Sequence, residues 1–228
     1  PVITSHPEDQ TVREGEGAFI ETVRTHVIDS VGLRVMRNRR SVDRGQGEHD
    51  TGQYDKDTNI FGISGALALY RARALEVVRV GEEYFDHDFF AYKEDTDLAW
   101  RFQLLGLQAR YVPLAVAYHY RRAAGKEKSG LFEMLRNRKT KSPFINYLSE
   151  RNHPLMLVKN EQVTNLLLHA PWIILYELGK FFSILIFEPR TLRAVVDFWR
   201  FFPRMLAKRR IIMAKSRLSA SEMRKWFQ

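Results

Sequence analysis

The sequence predicts an α/β domain over residues 1–162 and a helical, membrane-associated tail over residues 163–228. Three observations carry this expectation. Between Val27 and Tyr120, short strand-like runs alternate with stretches of helical periodicity. From Val163 to Phe187 the chain turns almost uniformly apolar, over a length that exceeds the roughly 20 residues a bilayer demands. The net charge of +9 sits in residues 189–228, where eleven Lys and Arg face only Asp197 and Glu222. The preceding residues balance.

Composition narrows the function classes. With 45% hydrophobic and 12% aromatic residues, a chain of 228 can build a real core. Cysteine is absent, which excludes disulfides, thiolate zinc sites and cysteine nucleophiles. A nucleic-acid-binding domain spreads basic residues over its fold, whereas here a charge-balanced domain carries a basic arm. The expected partner of that arm is a membrane surface, with no nucleic acid.

The elements follow in order. Val27–Met36 reads as a strand, a turn at Gly32 and a second strand. Residues 43–57, DRGQGEHDTGQYDKD, show neither period and read as a long surface loop. Their acids resemble a calcium loop only loosely, since Arg44 stands where an oxygen ligand is needed. Gly62, Ser64 and Gly65 make a small-residue turn that lets a ligand approach the backbone, and helix formers follow over residues 66–78. A second helix is expected from about Asp95 to Leu105, with Leu98, Phe102 and Leu105 on one stripe and Gly106 as its stop. Its start gathers Glu94, Asp95 and Asp97. That cluster has two readings: helix capping, because acids suit the positive end of the helix dipole, or a catalytic base. Leu107–Tyr120 supplies two short strand-like runs around Pro113, and Arg121–Gly130 is a basic, glycine-containing loop.

In the tail, His169, Glu177 and Lys180 interrupt the apolar run and Pro171 is placed to bend it. An interfacial helix or a re-entrant hairpin is expected rather than a clean span. Further on, Leu192, Val195, Val196, Trp199, Phe202 and Leu206 share one helical face. Arg193, Asp197, Arg200, Arg204 and Lys208 share the other, and Pro203 is a candidate kink. An aromatic apolar face opposite a basic one describes a helix lying on an anionic membrane.

The motifs also come in a recognisable order. The Ser-Gly-Ala turn ahead of Tyr70-Arg71 is followed by FDHDFFAYKEDTDLAWR, YVPLAVAYHYRR and RNHPLMLVKN (Arg151–Asn160). This set resembles the C-terminal half of family-2 glycosyltransferases, nearest to bacterial rhamnosyltransferase-like enzymes of cell-surface polysaccharide synthesis. The resemblance runs from about Val27 to the end of the chain. It implies a GT-A fold, a largely parallel sheet in a Rossmann-like sandwich that binds a nucleotide-sugar donor and usually a divalent metal, Mg or Mn. It implies residue roles as well. Glu94 and Asp95 match the catalytic "ED" pair, with Asp95 as general base on the hydroxyl of a glycan or lipid-linked acceptor. Trp100 and Arg101 match an aromatic-Arg pair that shapes the acceptor site. Ser64, Gly65 and Ala66 match a turn lining the donor cleft. His119 stands where related enzymes place a metal-ligating histidine. Arg121 and Arg122 suit a diphosphate, and the Gly125–Gly130 loop would be a lid.

One departure matters. The family's first half carries nucleotide-binding strands and an Asp-x-Asp motif closing an apolar strand. Here Asp55–Asp57, Asp86–Asp88 and Asp95–Asp97 match formally, but none follows a buried-strand pattern. The chain, which opens at Pro1, is therefore expected to be the acceptor-side half of an inverting glycosyltransferase. Its expected place is the cytoplasmic face of the cell membrane, peripheral or monotopic. Displacing a nucleoside diphosphate needs a base on the attacking hydroxyl and positive charge on the departing phosphates. A non-catalytic membrane-associated scaffold is the competing reading, and it would need only the tail.

Overall fold

The computed structural model describes residues 26–119 and 142–228, with the backbone of three short strands ahead of them. Nine strands come early: β1 Val2–Ile3, β2 Thr11–Val12, β3 Ile20–Glu21, β4 Ile28–Ser30, β5 Leu33–Val35, β6 Ser41–Asp43, β7 Asn59–Ile60, β8 Ala109–Arg110 and β9 Ala117–Tyr118. They form one three-stranded sheet, β4-β1-β9, and three two-stranded ribbons. Of these pairings only β1 with β9 is parallel. The class is mixed α and β with small sheets. The largely parallel sheet implied by the resemblance is not formed among the described residues.

Val27–Met36 does divide at Gly32, whose φ of 118° only glycine tolerates. Its two strands then pair elsewhere, β4 with β1 and β5 with β6. The loop after β6 lies back along β4, with Ile28 N–H donating to Glu48 O and Gly47 N–H to Ile28 O. Arg44 binds the Asp57 carboxylate at 2.7 Å and covers the Tyr54 ring.

The first helix, Ala72–Val78, is shorter than expected. Residues 66–71 stay irregular, and Leu67 and Leu69 are exposed there. Helix propensity without packing does not hold a helix. The carboxylate helix, Glu94–Leu104, ends as predicted: Gly106 adopts a φ of 73°, and Leu107 N–H returns to Phe102 O. A long helix, Pro143–Asn160, starts at Ser142, whose hydroxyl accepts from Ile145 N–H.

The tail holds the apolar helix Val163–Phe187, a 3-10 turn Pro189–Leu192, the basic helix Arg193–Lys215 and a short helix Ala220–Arg224. The apolar helix runs unbroken through Pro171, so no re-entrant hairpin forms. Residue 162 is no boundary in the core. Ile173, Met205, Ile212, Met223 and Phe227 share one buried cluster with Leu33, Val35, Phe61, Trp100 and Leu155. Gln228 N–H donates to Val35 O and Arg37 N–H to Gln228 O, which closes the tail onto β5.

Both tail helices turn polar groups inward. The buried stripe of the apolar helix is Asn165, His169, Ile173, Lys180, Ser183 and Ile184. Its outer residues Leu167 and Leu175 are 70% and 75% exposed. Lys180 is held by Glu177 at 2.9 Å and by Glu150 at 3.2 Å, and Glu177 also meets His153. The charges that interrupt the apolar run therefore leave its outer surface intact. On the basic helix, Lys208 binds Glu83, Asp86 and Asp88, Arg204 binds Asp88, and Arg209 donates to the Val158 and Glu161 carbonyls. Val195, Val196, Trp199 and Leu206 are left on the surface.

Candidate functional site

Gly62 sets how closely the Ser64–Ala66 turn approaches the carboxylate helix. A Cβ at Gly62 would lie 2.2 Å from Ala99 Cβ, so only glycine fits. With the two elements this close, Gly65 N–H donates to Asp95 Oδ2 at 3.2 Å. Asp95 Oδ1 accepts from Thr96 N–H at 2.6 Å. The Thr96 hydroxyl lies between Asp95 Oδ1 and Ser41 Oγ, and Lys93 Nζ donates to Ser41 Oγ at 2.8 Å. The N-cap is Lys93, without a side-chain cap bond, and Asp95 lies inside the first turn and, of the helix's own amides, accepts only from the next, Thr96 N–H. Its other oxygen faces the turn.

Glu94 differs from its neighbour. Its Oε2 is shut off from solvent and has no hydrogen-bond partner. Burial pushes its carboxyl above the usual range, and the adjacent Asp95 charge pushes it further. Tyr70, stacked on Phe102 with ring centroids 5.8 Å apart, is pushed up to about 12 by burial and then by the charges of Asp95 and Glu94. The arrangement sets the Asp95 carboxylate, oriented by Gly65 N–H and Thr96, beside the more buried Glu94.

The approach to this pair is strained. Phe90, Tyr92 and Lys93 have φ of 63°, 65° and 74°, in the left-handed region that non-glycine residues rarely occupy. Such backbone persists only where its surroundings over-determine it.

Asp97, two residues beyond Asp95, lies deep in the protein. It is fully buried and accepts from Lys159 Nζ, Asn160 Nδ2 and Arg101 Nε. Lys159 also binds Asp86 at 2.6 Å. Burial opposes the Asp86 charge, but Lys159 and Lys208 together outweigh it and hold that carboxyl below its usual range. The Asp-x-Asp members Asp57, Asp86, Asp88 and Asp97 are thus bound to cations of the chain itself.

Two expected site residues are corrected. Trp100 is 1% exposed and packs against Phe61 and Phe227, and Arg101 is 2% exposed with its guanidinium on Asp97, Val78 O and Tyr84 O. At about 100° per residue they are rotated roughly 140° and 240° from Asp95 around the helix. Both face the core rather than an acceptor. His119 Nδ1 lies 2.9 Å from Asp29 Oδ2, because β1 pairs with both β4 and β9 and brings the two strands together. Among the described residues no group of three His, Asp or Glu is placed to hold a metal. Arg121, Arg122 and the Gly125–Gly130 loop lie outside the described residues.

Ser41, Lys93, Tyr70 and Asn152 were not anticipated around Asp95. Lys93 and Tyr70 flank motifs already noted, and Asn152 lies within RNHPLMLVKN without an assigned role. Nothing in the motifs marks Ser41, which the β5–β6 hairpin carries to the first turn of the carboxylate helix. No protein-family model matches this chain, and neither does any curated protein or solved structure.

Proposed function

We propose that the chain is the acceptor-side part of an inverting, membrane-associated glycosyltransferase of GT-A type. It transfers a sugar from a nucleotide-sugar to a glycan or lipid-linked acceptor in cell-surface polysaccharide synthesis. The observation that supports this most is the bond between Gly65 and Asp95, thirty positions apart, which joins the expected donor-cleft turn to the expected base. Ser64 and Ala66 flank that contact.

In this reading Asp95 takes the proton of the acceptor hydroxyl as its oxygen attacks the anomeric carbon. The new glycosidic C–O bond forms while the C–O bond to the diphosphate breaks, and the nucleoside diphosphate leaves with the electron pair. Gly65 N–H and Thr96 orient the carboxylate for that transfer. Glu94, whose carboxyl burial and the Asp95 charge push upward, sits beside the base and would meet the acceptor as a hydrogen-bonding group. Asp29 would give the carboxylate that a magnesium or manganese ion prefers, with donor phosphates and water completing the shell, and His119 lies 2.9 Å from that carboxylate. When bound, the ion would supply positive charge to the departing diphosphate. Arg121 and Arg122 would join it there.

The tail supports attachment to the cytoplasmic face of the membrane. A core helix is mostly buried, yet only 22% of the most apolar window of Val163–Phe187 is buried. Proteins that face lipid turn polar groups inward and apolar ones outward, which is the pattern of this helix. Its polar stripe rests on the domain, which favours a monotopic arrangement. Exposed Arg190, Arg193 and Arg200 would each add about 1 kcal/mol near an anionic surface.

The test is Asp95→Asn in the full-length protein. Turnover is read as nucleoside diphosphate released from UDP-, GDP- and dTDP-sugars, with extracted membrane glycolipid as acceptor. Asparagine nearly keeps the shape and an oxygen that can accept from Gly65 or Thr96 N–H but cannot take the proton, so kcat should fall by roughly 10²–10⁴ with the melting temperature little changed. Asp55→Asn is the control. Near-normal turnover of Asp95→Asn would return the cluster to a helix start.

A further inference from the structure

We infer that Asn152, seconded by Arg151, is a positioning residue that holds the strained approach loop and thereby sets the place of Asp95. The inference rests on the reading of Asp95 as the base. Asn152 is fully buried, and its Nδ2 donates to Phe89 O at 2.9 Å, Ala91 O at 2.8 Å and Tyr92 O at 2.8 Å. All three acceptors belong to one short loop. Arg151 Nε donates to Asn152 Oδ1 at 2.9 Å, which fixes the amide with its nitrogen toward the loop. Arg151 Nη2 adds bonds to Asp88 O at 2.6 Å and Phe89 O at 3.3 Å, and its guanidinium lies 4.9 Å over the Phe201 ring.

The backbone explains why such a clamp is needed. Positive φ at Phe90, Tyr92 and Lys93 is backbone that non-glycine residues hold only where the surroundings impose it. The carbonyls of Phe89, Ala91 and Tyr92 converge on Asn152, and Phe89 O also accepts from Ala91 N–H and Arg151 Nη2. The two N–H groups of Asn152 Nδ2 serve three carbonyls, so at least one hydrogen is shared between two of them. The effect reaches the base directly: Lys93 is the residue before the carboxylate helix, and its carbonyl accepts the first helical bond, from Asp97 N–H at 2.8 Å. If the loop relaxes, the first turn carrying Glu94 and Asp95 moves with it. The Asp97 end cannot follow, because Lys159 and Asn160 anchor it to the same helix that carries Asn152. A shift of about 1 Å in a catalytic group costs on the order of 10²-fold in rate.

Asn152→Asp keeps the shape and replaces the amide donors by carboxylate oxygens, and Arg151→Lys removes the fork while keeping its charge. Both are made in the full-length protein, with a thermal melt to establish folding. Amide hydrogen exchange at residues 89–97 should rise by about tenfold or more, and exchange in the apolar helix should stay as it is. In the nucleoside-diphosphate release assay kcat should fall by about 10²-fold with donor KM nearly unchanged. The Asn152→Asp, Asp95→Asn double variant should be no slower than Asp95→Asn alone, because Asn152 acts only through that carboxylate. Unchanged exchange at 89–97, raised exchange with undiminished kcat, or a double variant showing additive losses would each overturn the inference. Should Asn152→Asp not fold, Arg151→Lys decides by the same readings. If Asp95→Asn itself turns over normally, the base assignment fails, and the exchange data still decide separately whether Asn152 clamps the loop.

Discussion

Replacing Lys159 by methionine keeps the length of the side chain and removes the ammonium shared by Asp86 and Asp97. Lys159 Nζ lies 2.6 Å from Asp86 and 2.8 Å from Asp97, and all three side chains are at most 1% exposed. Removing one partner of a buried ion pair costs about 3–5 kcal/mol, mostly because a charge is left without a counter-charge. The lower end applies here. Lys208 still bonds Asp86, while Arg101 and Asn160 still serve Asp97. A loss of about 3 kcal/mol lowers the melting temperature of a chain this size by roughly 6–12 °C. Circular dichroism melts and urea titrations of the purified protein measure it, with the m-value checking that the unfolded state is unaltered. Adding Asp86→Asn should recover part of the loss, since one fewer carboxylate then lacks a partner. A melting temperature within about 2 °C of the parent, no more than the shift expected for about 1 kcal/mol, would refute the electrostatic account.

Two further substitutions probe the exposed apolar face and the turn. Leu175→Glu sits on the outer face of the apolar helix; it should leave the melt unchanged and weaken cosedimentation with phosphatidylglycerol vesicles by about tenfold or more. Undiminished cosedimentation would remove lipid as the partner of that face. Gly62→Ala drives a methyl group into Ala99, so a destabilisation of about 1–3 kcal/mol is expected in the same melts. Ala99→Gly in the same chain should relieve part of it, and no relief would mean that the strain lies elsewhere.

The sequence by itself determined the elements whose signals are local. The carboxylate helix and its Gly106 stop, the split at Gly32, the two faces of the basic helix and the length of the apolar helix all follow from periodicity and from glycine's conformational freedom. These depend on neighbours a few positions away. Only the tertiary structure decided which face meets what. Asp95 and Asp97 read alike in the sequence, yet one meets the Gly65 turn and the other is enclosed by Lys159, Asn160 and Arg101. Trp100 and Arg101 belonged to a recognisable motif but were drawn into the core by Phe61, Phe227 and Val78, none of them near in sequence. The tail looked separable because its composition changes abruptly at Val163. Its Met205, Ile212 and Phe227 nevertheless complete the core of the preceding domain. Periodicity shows that a helix has two faces, but burial is a property of partners, and those partners come from elsewhere in the chain.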